Sequence, residues 1–313
     1  MRKAVVTGGA GFVGSHVVDR LLVDGWRVLV VDDLSAGRLA NLEWARTTEH
    51  LTFHQLDVRD DSMVGVVAKF KPEMVFHLAA QASVTVSVRQ PLYDASINVL
   101  GTLNVLEAAR QTEARKVSFA SSGGAVYGGG AKLPAREDAV KHPESPYGIS
   151  KKIMEDYFRW YRAQYGLAYS LLALSNVYGP RQSAHGEAGV IAIFTEAMLS
   201  GHPPTIFGDG KQTRDFVYVE DVADAFVKSA DRGDGWFMNI GTGVETGVNQ
   251  LVDELVRQTA CKVRPGYAPA RPGDVLRSVV DPARAARHLG WQPATPLREG
   301  LAQTVKWFRG RRG

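Results

Sequence analysis

Lys3-Ala4-Val5-Val6-Thr7, followed by Gly8-Gly9-Ala10-Gly11-Phe12-Val13-Gly14, is the stretch whose reading decides the fold. A short apolar run that stops at glycines reads as a buried parallel strand, because a strand covered on both faces need not alternate with polar residues. Val13, Val17 and Leu21 then recur at helical spacing, so a helix is expected to begin within the glycine turn. A second buried run, Val28-Leu29-Val30-Val31, ends in Asp32-Asp33, with Asp32 eighteen residues after Gly14. Strand, glycine turn, helix, strand and acid in that order form one βαβ unit. Its glycines let the backbone approach a pyrophosphate, and the helix N-terminus offers free N–H groups to it. A carboxylate at Asp32 accepts hydrogen bonds from an adenosine ribose and repels a 2′-phosphate, so the unit is read as binding NAD rather than NADP.

Outward from this unit the alternation continues. Strands are predicted at Leu51–Gln55, Met74–Leu78, Lys116–Ala120 and Tyr169–Leu174, and helices at Ser62–Phe70, Ile97–Arg110 and Pro146–Tyr165. Repeated βα units imply an α/β fold, a Rossmann-type doubly wound parallel sheet, whose ligands bind beyond the C-terminal strand ends. Asp57-Val58, Leu78-Ala79-Ala80-Gln81, Ser121-Ser122-Gly123-Gly124 and Ser175-Asn176-Val177-Tyr178-Gly179 fall there. After about residue 176 glycine and proline become denser, with helices still readable near Val190–Leu199, Glu220–Ala230, Val248–Thr259 and Leu297–Phe308. The expected division is an NAD-binding domain over residues 1–175, with a return near 214–243, and a smaller C-terminal substrate-binding lobe over 176–313.

Composition removes several classes. Net charge is only +4 in 313 residues, and the basic residues are dispersed apart from the terminal Arg309-Gly310-Arg311-Arg312, so no nucleic-acid stripe is present. Mild basicity still suits a phosphate-bearing substrate. The single cysteine, Cys261, leaves no intrachain disulfide or cysteine-based metal site and reads as a small buried hydrophobe. No apolar run approaches the ~20 residues needed to cross a bilayer. The chain opens on a strand rather than on a signal-peptide pattern, so a cytoplasmic location is expected.

A second stretch carries reactive groups. Pro146 suits a first helical turn, and Tyr147 and Lys151 then sit four apart on one helix face. An ammonium beside a phenol favours the phenolate, so Lys151 is expected to lower the Tyr147 pKa toward the range of a base. In isolation the reading as a solvated helix face would win, since chance easily supplies this spacing; its weight has to come from the rest of the chain.

The glycine turn, Asp57-Val58, His77-Leu78-Ala79-Ala80, the Ser121-Ser122 strand end and Tyr147-x3-Lys151 occur in this order over essentially the whole chain. Together they resemble the extended short-chain dehydrogenase/reductase family. Within it the chain is most similar to UDP-glucose 4-epimerases and UDP-glucuronate 4-epimerases. The similarity lies in Ser121-Ser122-Gly123-Gly124-Ala125-Val126-Tyr127-Gly128, Asn176-Val177-Tyr178-Gly179-Pro180-Arg181-Gln182, Arg214-Asp215-Phe216-Val217-Tyr218-Val219 and Arg271-Pro272-Gly273-Asp274. The resemblance implies a tightly held NAD, regenerated each turnover, that touches the glycine turn, Asp32, Asp33, Asp57, Val58, Leu78 to Gln81, Asn98, Tyr147 and Lys151. It implies that Tyr147 takes the proton of the sugar 4-hydroxyl, through a 4-keto intermediate, while a serine bridges the two. Family members usually carry Ser or Thr four residues before Tyr127, where this chain has Gly123; Ser122 is taken as the serine, with Ser121 second.

Related dehydratases carry Asp-Glu, and decarboxylases a Glu, just before the tyrosine of this turn. Here Gly124 and Ala125 stand there and cannot titrate, which leaves epimerisation. Arg214 and Arg271 can grip a diphosphate with bidentate hydrogen bonds. The resemblance assigns Asp274 to the uridine ribose, Asn176 to the diphosphate or sugar, and Thr205 and Phe207 to the uracil; Val190 completes the substrate set. Ser278 stands where epimerases that exclude N-acetylated sugars tend to carry tyrosine. Arg181 has two readings, a partner for a sugar C6 carboxylate, which would favour UDP-glucuronate, or a structural ion pair. His77 reads as structural. His185 and Glu187 lack a third ligand, so no metal is expected. Apolar faces on Ile97–Arg110 and Pro146–Tyr165 imply, by the resemblance, a homodimer. UDP-glucose/UDP-galactose 4-epimerisation leads, UDP-glucuronate 4-epimerisation is second, and a non-catalytic NAD-binding sensor is the remote reading.

Overall fold

The structure, a computed structural model, describes residues 1–185, 189–270 and 275–311. In chain order the strands are β1 (Lys3–Thr7), β2 (Arg27–Asp32), β3 (Leu51–Gln55), β4 (Met74–His77), β5 (Lys116–Ser122) and β6 (Ala168–Leu174). The short strands β7 (Asn176–Tyr178), β8 (Thr205–Phe207), β9 (Thr213–Arg214) and β10 (Phe216–Tyr218) precede β11 (Trp236–Ile240), which is followed by β12 (Thr246–Gly247), β13 (Gly266–Ala268) and β14 (Arg277–Ser278). The helices are α1 (Phe12–Val23), α2 (Met63–Phe70), α3 (Val84–Arg89), α4 (Pro91–Ala95), α5 (Thr102–Gln111), α6 (Gly123–Val126), α7 (Pro146–Tyr165), α8 (Val190–Leu199), α9 (Val219–Ser229), α10 (Val248–Thr259), α11 (Ala283–Leu289) and α12 (Leu297–Gly310).

Seven strands form one parallel sheet in the order β3-β2-β1-β4-β5-β6-β11. The chain leaves β1 for one side of the sheet and later returns to β4 on the other, and a ligand crevice opens where the order reverses. The apolar runs divide between two cores. Ala4, Val6, Val28, Val30 and Phe76 pack with Val17 and Leu21 of α1 and Phe226 of α9. Val5, Leu29, Val75, Val117 and Phe119 pack with α2, α5 and α7 on the opposite face. The inner strands β1, β2 and β4 are therefore apolar without alternation because both of their faces are covered, whereas the edge strand β3 (Leu-Thr-Phe-His-Gln) is partly exposed. A third core, holding Tyr178, Ile191, Phe194, Tyr218, Leu251 and Leu301, belongs to the smaller lobe, and half-buried Cys261 packs against it.

The α7 boundaries follow from their residues. Ser145 accepts a hydrogen bond from the Gly148 amide at 3.2 Å, Pro146 takes the first helical position, and Gly166 ends the helix at φ +70. The predicted helix Ile97–Arg110 differs. Helical structure starts at Pro91, and a π-turn over Ser96–Gly101 joins α4 to α5. Such turns widen a helix locally and re-aim its side chains. Here Asn98 points back at Gln81 and Thr102 at His77. Among the described residues no helix is long and apolar enough to cross a membrane.

Candidate active site

Gly8 adopts φ +68, and its amide donates to the Val31 carbonyl at 2.8 Å. A Cβ on Gly8 would lie 2.6 Å from the Ala79 nitrogen, and one on Gly14 would lie 2.1 Å from the Gly8 oxygen. The turn is thus packed directly on the segment after β4, and only glycine fits it. At Gly11 the Gly8 oxygen is the sole neighbour of such a Cβ, at 3.1 Å, so this side of the turn faces a cleft of about 550 Å³. The cleft is lined by Gly8, Gly11 and Phe12 of the turn, by Asp32 and Asp33 after β2, and by Asp57 and Val58 after β3. Leu78 to Gln81, after β4, complete that wall. An extended cleft walled by backbone, with a buried acid at the end of β2, fits a dinucleotide.

Buried Asp32 accepts from the Ala10 and Leu34 amides, each at 2.9 Å. Burial raises its carboxyl above the usual range, and those amides oppose the rise. A Cβ on Gly37 would stand 2.6 Å from Asp32 Oδ1, so the loop after β2 folds over the acid. Asn41 secures that loop by donating to the Ala10 carbonyl at 2.8 Å. Gly37, Arg38 and Asn41 line the cleft and were missed by sequence reasoning, although Gly37 so soon after the acid was a usable signal. Asp57 is held by Arg59 at 2.6 Å. Val13 and Gly14 stand behind the cleft wall, Val13 against the cores and Gly14 buried on Gly8. Asn98, expected on the cofactor, is spent internally, exchanging hydrogen bonds with the Gln81 backbone at 2.9 Å and donating to Asp94 at 2.9 Å.

The reactive pair sits at the start of α7. A Cβ on Gly148 would fall 2.5 Å from the Ala125 oxygen, so this glycine lets α7 press against the turn after β5. Lys151 is 3% exposed; its Nζ donates to the Ala120 carbonyl at 2.9 Å and lies 5.8 Å from the Tyr147 ring centre. The Ser122 hydroxyl acts on the Tyr147 hydroxyl and lowers its pKa. Ser121 Oγ is buried and finds no partner among the described residues. Alternation along β5 turns Ser121 the other way from Ser122. The structure therefore brings Ser122, and not Ser121, to the tyrosine. It also explains the absent serine at 123, where a Cβ would meet Val280 Cγ1 at 3.0 Å and the Ala173 oxygen at 3.1 Å.

One expectation is reversed. Burial pushes the Tyr147 hydroxyl up to about 12, the Ser122 hydrogen bond pulls it back, and the Asp94 carboxylate adds to the rise. Lys151 does not offset this: its own burial pulls its amine down to about 8, and its hydrogen bond goes to Ala120. Asp94 opposes that fall. His77 is fully enclosed between the hydroxyls of Thr7, at 2.6 Å, and Thr102, at 2.9 Å. Burial, with the Lys151 charge, takes it down to about 3, so it is a neutral structural histidine.

The residues predicted for substrate lie apart from the cofactor cleft, Arg181 excepted. Asn176 is exposed on β7, Val190 is half-buried at the start of α8, and Thr205 and Phe207 are on β8. Arg214 on β9 is half-buried and pairs in register with Ser278 on β14. Arg271, Asp274 and Glu187 fall outside the described residues. Arg181, with φ +68, donates to Asp19 of α1 at 2.6 Å, and its Nη1 is buried without a partner among the described residues. Its charge is thus matched by the helix that follows the glycine turn, the structural reading rather than the carboxylate one. His185 lines the cleft, and no group of three or more His, Cys, Asp or Glu able to hold a metal occurs among the described residues.

Residues 5–304 match the model of the GDP-mannose 4,6 dehydratase family. The UDP-glucose 4-epimerase of Mycolicibacterium smegmatis is 48% identical over 310 residues, covering 99% of each chain. A crystal structure of UDP-glucose 4-epimerase with UDP-glucose from Thermotoga maritima superposes with a TM-score of 0.96 at 46% identity, covering 99% of this chain and 100% of that one. The UDP-glucose 4-epimerase of Thermus thermophilus in complex with NAD gives a TM-score of 0.91 at 41% identity, covering 98% and 99%. With its glycine turn, its Tyr147–Lys151 helix and these matches over nearly its whole length, the chain belongs to the GDP-mannose 4,6 dehydratase family of extended short-chain dehydrogenases/reductases.

Proposed function

We propose that the chain is an NAD-dependent UDP-sugar 4-epimerase that interconverts UDP-glucose and UDP-galactose. The observation that carries this reading is the buried Lys151 with its Nζ 5.8 Å from the Tyr147 ring centre, next to a turn whose Gly124 and Ala125 hold no acid, with Ser122 acting on the Tyr147 hydroxyl. Elimination or decarboxylation needs a further proton shuttle, and this turn offers none; oxidation and return at one carbon needs only the pair. NAD bound against the glycine turn and Asp32 would accept and return the C4 hydride, and its cationic ring adds the positive charge that a tyrosine at about 12 requires. Tyr147 takes the proton of the 4-hydroxyl and gives it back, Ser122 bridges tyrosine and sugar oxygen, and Lys151 supplies fixed positive charge. The similarity to epimerases described with UDP-glucose and with NAD supports the same substrate class and cofactor.

The nucleotide handle we assign to Arg214, Asn176, Val190, Thr205 and Phe207, with Arg271 and Asp274. The pairing of Arg181 with Asp19 favours a neutral hexose over a uronate. Half-buried Ser278 beside Arg214 leaves room at the lobe for a 2-acetamido group. The division into residues 1–175 with a return near 214–243, and a lobe over 176–313, is supported by the place of β11 in the main sheet. A homodimer is supported by the apolar residues left exposed on α4, the π-turn and α7, namely Leu92, Leu100, Ile149, Ile153 and Trp160. Light scattering should then give twice the 34.1 kDa chain mass.

The test incubates the protein with UDP-glucose and with UDP-glucuronate separately and resolves the products by chromatography. UDP-galactose is expected from the first, with little conversion of the second. Preferential conversion of UDP-glucuronate would reverse the sugar assignment. Retained NAD with no C4 epimer from any UDP-sugar would leave only the sensor reading.

A further inference from the structure

Asp94 is 0% exposed and lies on α4, outside every motif that the sequence singled out. Its Oδ1 accepts from Gln81 Nε2 and Asn98 Nδ2, each at 2.9 Å, and its Oδ2 accepts from Ser150 Oγ at 2.7 Å. These three donors come from three parts of the site. Gln81 ends the cofactor wall after β4, Asn98 lies in the π-turn, and Ser150 sits on α7 between Tyr147 and Lys151. A buried carboxylate is costly to keep without partners, and both oxygens of this one are hydrogen-bonded.

We propose that Asp94 is the positioning residue of the catalytic helix, one carboxylate that locks α7 to the cofactor wall and holds the buried Lys151 side chain as the ammonium. This rests on Tyr147 and Lys151 being the reactive pair. The electrostatics agree in direction: the Asp94 charge raises the proton affinity of both Lys151 and Tyr147. Helix α4, which carries Asp94, packs against α3, the π-turn and α7. On these elements Arg89 of α3 is exposed, and Glu155 of α7 is paired with Lys141 and Arg159. Tyr93, beside Asp94 on α4, is exposed and faces Arg59, which is itself paired with Asp57. His77 from β4 is neutral. Asp94 is thus the fixed anion acting on the pair from this side. It favours the ammonium that the chemistry needs and opposes the phenolate, and the second effect is the cost of the first.

Asp94→Asn keeps the shape: its oxygen can still accept from Gln81 and Asn98, and its amide can donate to Ser150 Oγ. The experiment follows the Lys151 amine by isotope-edited NMR against pH, in the protein as purified, and measures the pH profile of kcat/KM with UDP-glucose. Loss of the charge should lower the Lys151 titration by about one pH unit and move both limbs of the profile to lower pH by a similar amount. Asp94→Ser, with space for a bridging water, is the second neutral replacement and carries the same expectation. Unmoved Lys151 titration in a folded variant overturns the proposal, as does failure of both variants to fold, which would assign Asp94 to the fold alone. The NMR readout does not require turnover, so an inactive native protein would sink the epimerase reading without deciding this one.

Discussion

At the glycine turn the backbone is itself the binding surface, whereas in the smaller lobe the candidate nucleotide contacts are side chains carried on strands of two or three residues. The first region tolerates almost no change, because Gly8, Gly14 and Ala79 leave no space for a single added carbon. The second is held by longer-range pairing: β9 pairs with β12 and with β14, and β8 with β13. Thr205 is exposed and Arg214 half-buried there. The contrast teaches that, on the proposed reading, cofactor identity would be built into the backbone at the sheet edge, while sugar choice would rest on side chains of the lobe.

The hardest blow to that contrast is Gly14→Val. With the added carbon about 2.1 Å from the Gly8 oxygen and backbone on the other side, the cost is expected to be at least about 3 kcal/mol, with NAD lost on purification. Absorbance of released cofactor and the melting temperature report this, and a variant that keeps NAD would show the turn to be pliable. Next in size is Ser122→Ala, expected to lower kcat by roughly 100-fold with NAD retained. Ser121→Ala should leave kcat within about twofold, since removing an unpaired buried hydroxyl costs little. A larger loss from Ser121→Ala would return the bridging role to that residue. The last prediction concerns the lobe. Ser278→Tyr should slow a 2-acetamido sugar about 10-fold relative to UDP-glucose without loss of NAD or stability. Equal slowing of both sugars would remove Ser278 from the sugar wall.

Much of the architecture was legible in order of chain. The helices α7, α8 and α10 span the residues predicted for them, and β3 does likewise, because apolar spacing and caps are local signals. The helical stretch from Pro91 was missed because a π-turn breaks the 3.6-residue period on which the reading relied. Asp94 was invisible for a related reason. An acid on an otherwise unremarked helix acquires meaning only when Gln81, Asn98 and Ser150 converge on it from distant positions. The two readings of Arg181 were separable only by its neighbour, Asp19, which lies 162 residues away in the chain.

The sequence by itself determined the βαβ unit, the acid at the end of its second strand, the parallel sheet and the Tyr147–Lys151 helix, since each rests on spacing within one element or on the order of neighbouring ones. Tertiary structure alone decided which serine meets Tyr147, because strand alternation and the crowding at Gly123 are set by Val280 and Ala173. It alone decided the charge state of the pair, because desolvation depends on everything packed around it. Burial outweighs the helix-face proximity of Lys151 and pushes the Tyr147 hydroxyl up to about 12.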